Sequence, residues 1–157
     1  MPKILRNALI VLAITSLAAS AADNTLGVWK LNTEKSKYTP GAMPVKSLTV
    51  VRAASDGGVK VTTTGEQANG TPINTTYVAK YDGSPTSVTG ENPLYDTISI
   101  TQVDANTLTD ERKKTSGSYR ATGRTVVSDD RGKLTVTTKG FNADGKEFTS
   151  TFVYEKQ

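Results

Sequence analysis

The chain has 157 residues without a single cysteine or histidine. That excludes disulfides, thiol nucleophiles, Ser-His-Asp triads and ordinary histidine-based zinc sites. Its 19 Lys+Arg against 15 Asp+Glu give a net charge of +4, too weak and too dispersed an excess for a nucleic-acid surface, which shows a clustered basic face.

The first predicted element is "MPKILRNALIVLAITSLAASAA", residues 1–22. Lys3 and Arg6 form a basic start, 8–19 is an apolar run broken only by Thr15 and Ser16, and Ala19-Ser20-Ala21 or Ser20-Ala21-Ala22 fits a small-x-small cleavage site. This is the order of a secretory signal peptide. The run is shorter than the roughly 20 residues of a spanning helix, so no membrane span is expected. Residues 1–22 are expected to lie outside the fold as a signal helix, with 23–157 as a single domain. The mature part then carries 17 basic and 15 acidic residues, a charge of +2. A lipid anchor attached through cysteine is excluded for want of one. Small eukaryotic secreted domains lean on disulfides, so the chain reads as a bacterial protein exported to the periplasm or the exterior.

Strands are predicted near 27–32, 46–54, 59–66, 73–81, 86–90, 96–103, 107–114, 118–128, 133–140 and 147–155. Thr, Val, Ile and Tyr dominate these segments, and branched side chains fit a pleated surface. The clusters "SDGG", "ANGTP", "DGSP", "DDRG" and "NADG" punctuate them. Asp or Asn beside Gly is a strong hairpin signal, because these residues tolerate positive φ. Alternation puts Ile73, Thr75, Tyr77, Ala79 and Tyr81 on one face of a strand, and Phe148, Ser150, Phe152 and Tyr154 on one face of another. The connection 33–45, "TEKSKYTPGAMPV", reads as irregular. It would sit at a barrel mouth as a flap, with Tyr38 and Met43 turned inward.

Many short strands joined by tight turns give an all-β chain, expected as an antiparallel up-and-down β-barrel of about 8–10 strands, since closure removes the exposed edges. A two-sheet sandwich is the alternative. An outer-membrane barrel is rejected, because "NTTYVAK" and "TLTDERKK" place polar residues on both strand faces instead of an apolar lipid-facing band.

"GVW", Gly27 to Trp29, resembles the G-x-W motif that opens the calycin barrels, which include lipocalins and fatty-acid-binding proteins. "VYEK", Val153 to Lys156, resembles the last strand of the latter. "GVWKLNTEKSKYTPG" is similar to the opening of small secreted bacterial lipocalin-like proteins. The resemblance implies that Trp29 packs across the closed end of a barrel, with an exposed ligand platform as the other reading. It also implies a ligand-binding interior. The arginine that fatty-acid-binding proteins place two residues before the final tyrosine is Phe152 here, before Tyr154. Residues 33–45 are too few and too Pro-rich for the two-helix lid of that family. Arg124 is the substitute candidate for an inward cation.

Asp104, Asp110, Glu111, Asp129 and Asp130 lie in or beside turns and read as solvated, although a carboxylate pair suffices for glycoside hydrolysis. Arg112, Lys113, Lys114 and Arg120 read as a solvated hairpin. "GFNADGKE" has Glu147 where a phosphate loop needs Ser or Thr, so it reads as a hairpin turn. No metal, cofactor or catalytic residue is expected. The functional reading is a non-enzymatic barrel binding a small apolar or aromatic ligand, with Tyr38, Met43, Tyr77, Arg124, Phe152 and Tyr154 as candidate lining. A filled barrel or sandwich serving in envelope interactions is the alternative. A carboxylate-based hydrolase is the weaker one.

Overall fold

The computed structural model describes residues 22–91 and 93–157, so the expected signal segment, Ala22 apart, lies outside the described residues. Eleven antiparallel strands run in chain order: β1 (Gly27–Thr39), β2 (Val45–Ser55), β3 (Gly58–Gln67), β4 (Pro72–Lys80), β5 (Asp82–Ser87), β6 (Thr89–Glu91), β7 (Thr97–Asp104), β8 (Thr107–Lys113), β9 (Arg120–Val127), β10 (Lys133–Phe141) and β11 (Glu147–Lys156). They form one sheet in the order β5-β7-β8-β9-β10-β11-β1-β2-β3-β4-β6. This is the expected up-and-down barrel.

Closure depends on the segment 82–91. Its first half, β5, pairs with β7. Its second half, β6, crosses to pair with β4. Between the two edges, the Thr86 hydroxyl donates to the Val78 carbonyl at 2.9 Å. The sheet is nearly closed, and few backbone groups are left as an open edge. Gly90 permits the crossing: its φ is +117°, and a Cβ there would lie 2.1 Å from the Asn74 carbonyl oxygen.

The expected flap at 33–45 is corrected. β1 continues to Thr39, and only 40–44 connects it to β2. The register against β11 slips between Asn32 and Lys37. Ser36 stitches this bulge: its hydroxyl donates to the Asn32 carbonyl at 2.6 Å and accepts from the Val153 N–H at 2.9 Å. The extra residues bend outward, and pairing resumes at Lys37↔Thr151. A bulge of this kind re-aims the strand beyond it, here carrying Tyr38 over the barrel end.

The other end is closed by the segment 22–26. The Asn24 N–H donates to the Ala105 carbonyl at 2.8 Å, and its side chain bonds Asn106 at 2.6 Å. Gln102 donates to the Ala22 carbonyl at 3.0 Å. Trp29 is fully buried, and its indole N–H donates to the Thr25 carbonyl at 2.8 Å. A buried indole gains large apolar area and needs one acceptor. The segment supplies that acceptor, so Trp29 packs at the closed end.

Candidate functional site

Strand parity decides what faces inward. On β11 Phe148, Ser150, Phe152 and Tyr154 face the interior, as do Ile73, Thr75 and Tyr77 on β4 and Leu48, Val50 and Arg52 on β2. On β8 the inward set is Leu108, Asp110 and Arg112. These side chains leave a cavity of about 280 Å³. Trp29 and Leu134 contribute to its lining from the side of the closed end, in a core cluster with Leu48 and Tyr154. Pro44, Leu94 and Ala143 contribute from connections at the opposite end. Leu94 is 58% exposed, so that end is the mouth.

Four aromatic rings form a row near the mouth. Tyr38 stacks on Phe148 with centroids 5.4 Å apart, Phe148 meets Tyr119 at 5.9 Å, and Tyr119 stacks on Tyr95 at 6.0 Å. The Arg112 guanidinium lies 5.5 Å from the Tyr95 ring centre. Such offset stacks and the cation–π contact favour a defined, flat-walled entrance.

Two charged groups meet inside. Arg112 grips Asp110 bidentately, Nε to Oδ1 at 2.6 Å and Nη2 to Oδ2 at 3.0 Å. Their side chains are only 17% and 6% exposed. Burial opposes the arginine's charge. The Asp110 carboxylate, helped by Tyr95 and Tyr119, outweighs it and holds the guanidinium well above its ordinary value. Burial raises every tyrosine in the chain: Tyr81 and Tyr119 to about 12, and Tyr38, Tyr77, Tyr95 and Tyr154 upward as well.

Of the candidate lining residues, Tyr38, Tyr77, Phe152 and Tyr154 border this cavity. Met43 is half-buried in the 40–44 connection, where its neighbours Pro44 and Val45 border the cavity instead. Arg124 is on the outer surface. β9 turns Ala121, Gly123, Thr125 and Val127 inward, so Arg120, Thr122 and Arg124 face out. Among the described residues, the cations that border the cavity are Arg52 and Arg112. Reading Asp110 and Arg112 as solvated is corrected likewise: β8 parity turns both inward, Asp110 buried and Arg112 half-buried, and exposes Glu111 and Lys113. Tyr95 and Tyr119 were not anticipated either. The turn at 142–146 joins β10 to β11 as a hairpin, the Asn142 side chain accepting from the Asp144 and Lys146 N–H groups at 3.0 and 2.9 Å.

No family model matches the chain, and no curated protein sequence does. Solved structures do. Zebrafish ileal bile acid-binding protein, complexed with cholic acid, aligns with a TM-score of 0.50 at 12% identity over 86% of this chain and 100% of its own. Rv2717c from M. tuberculosis aligns at 0.51 and 12% identity over 85% and 93%. A protein of unknown function from the DUF3598 family of Nostoc punctiforme aligns at 0.52 and 13% identity over 85% of this chain and 48% of that one. These likenesses show a shared fold, a nearly closed antiparallel β-barrel.

Proposed function

We propose that the chain is an exported, non-enzymatic barrel that holds one compact, largely apolar ligand in its interior. The observation that carries this reading is the cavity of about 280 Å³, walled mostly by aliphatic and aromatic side chains and open at the Tyr38–Leu94 end. Concave, mostly apolar sites with a few placed polar groups are where small ligands bind. An apolar cavity of about 150 Å³ takes up benzene, so this one suits about two fused rings. That a barrel of this fold, the zebrafish protein, is complexed with cholic acid supports ligand binding by this one. The cavity lining contains one carboxylate, Asp110, and Arg112 occupies both of its oxygens; the paired free carboxylates of a glycoside hydrolase are not assembled there. Export follows from the charged start, apolar run and small-residue end of 1–22. Native mass spectrometry of the protein purified from its own host is the test. A retained small molecule that leaves on unfolding is expected. An invariably empty chain that also fails to take up two-ring probes would overturn the reading.

A further inference from the structure

We infer that Arg52 is an anion-binding group, so that the ligand of this cavity is a compact aromatic acid whose negative group points toward the closed end. The inference rests on the interior-ligand reading above and adds the ligand's charge.

Arg52 stands on β2, paired in register with Gly27 and Val61, near the closed end. It borders the cavity and is 9% exposed. A guanidinium keeps its charge and offers five donors in a rigid fork. Its Nε bonds the Thr25 hydroxyl at 3.1 Å. Nη2 is buried without a hydrogen-bond partner among the described residues. An unpaired buried charge is among the least tolerated features of a protein interior.

The neighbouring acids do not answer it. Asp110 is held by Arg112. Asp23 is engaged by its surroundings: Oδ1 accepts from the Thr25 N–H and hydroxyl at 2.8 and 2.6 Å, and Oδ2 accepts from the Tyr81 hydroxyl. Asp23 therefore reaches Arg52 only through Thr25, which binds Nε and leaves Nη2 without an acceptor. Once Asp110 and Arg112 cancel, the cavity wall carries one uncancelled positive charge. A carboxylate or sulfonate supplies the charge and the acceptors that Nη2 lacks, and Arg–carboxylate pairs are among the stronger charge-assisted hydrogen bonds. The cavity volume sets the remainder of the molecule at about two rings.

The test uses 2-naphthoate and 2-naphthamide, which share a ring system and nearly a shape but differ in charge. Calorimetric titration of the wild-type protein is expected to show naphthoate bound at least about tenfold more tightly. Arg52→Met is expected to abolish that preference, so that naphthoate binds no more tightly than naphthamide, while the variant melts at the wild-type temperature or above, because it removes an unpaired buried charge. Equal wild-type affinities for the two probes would overturn the inference and leave the cavity reading standing. So would a preference that survives in Arg52→Met. Binding of neither probe would overturn both. The wild-type comparison needs no variant, so it decides the matter even if Arg52→Met does not fold.

Discussion

Gly123 faces Asp110 across the β8–β9 ladder, and the Asp110 carboxylate fills the space that its missing side chain leaves. A Cβ at 123 would stand 2.5 Å from Oδ2 and 2.8 Å from Cγ. The glycine is thus a packing requirement of the internal ion pair. Gly123→Ala should push the carboxylate off Arg112 and destabilise the barrel by about 1–3 kcal/mol, the usual range for overpacking. Denaturant melts measure it, and an unchanged midpoint would mean that Asp110 has room to move.

Asp110→Asn keeps the shape and removes the charge. Arg112 would then be buried without its anion, and breaking such a pair costs about 3–5 kcal/mol. The loss should lie toward the lower figure, since Arg112 keeps its contact with the Tyr95 ring and is 17% exposed. A loss well under about 1 kcal/mol would put the pair in the class of solvated surface bridges.

The tyrosines predict an alkaline transition. All six are raised above the ordinary value of 10.0, burial being the first cause at each, with Tyr81 and Tyr119 at about 12. A raised folded-state value means that the folded protein holds the proton more tightly than the unfolded chain. The stability involved is intact below pH 10 and is lost as pH rises from 10 through about 12. Tyrosinate absorbance should therefore appear late and largely together with loss of circular dichroism. Several tyrosines ionising near 10 in a still-folded protein would contradict the buried placement.

Trp29 is fully buried, and its N–H is bonded to Thr25. Its fluorescence should be blue-shifted and poorly quenched by iodide. Trp29→Ala should lose about 3–5 kcal/mol, the range for emptying a buried aromatic site. Red-shifted, freely quenched emission from the folded wild type would instead make it an exposed platform.

Tyr38 stands at the mouth, stacked on Phe148 at 5.4 Å. Tyr38→Ala should cost about 1 kcal/mol of stability, the worth of one aromatic pair beyond burial, but should weaken uptake of a two-ring probe more strongly. Paired melts and titrations separate the two effects. Equal losses would place Tyr38 in the core proper.

Much of this was legible from strand parity. Phe148, Phe152 and Tyr154 share a face because alternation requires it, and so do Ile73 and Tyr77. Arg52 follows Leu48 and Val50 at the same parity, so its inward direction was readable in "LTVVRAAS", although its lack of a partner was not. In "TLTDERKK" the density of charge concealed the parity that separates Asp110 and Arg112 from Glu111 and Lys113. In "RATGRTVV" the inward residues flanking Arg124 are Gly123 and Thr125, one without a side chain and one polar, so neither marks a core face. The extension of β1 to Thr39 depends on Ser36 bonding Val153, a residue 117 positions away. No local pattern in a turn-rich, charged stretch reveals such a partner.

A hollow interior that accepts a ligand is detectable by methyl NMR of the wild-type protein titrated with 2-naphthamide. A ring held in the cavity shifts the methyl signals of Val61, Leu108 and Val136, which line it, and leaves the exposed Val28, Val51, Val78 and Val126 unmoved. Saturable shifts confined to the first group are the predicted result. Shifts confined to the outward valines, or none at any concentration, would instead mean a filled barrel.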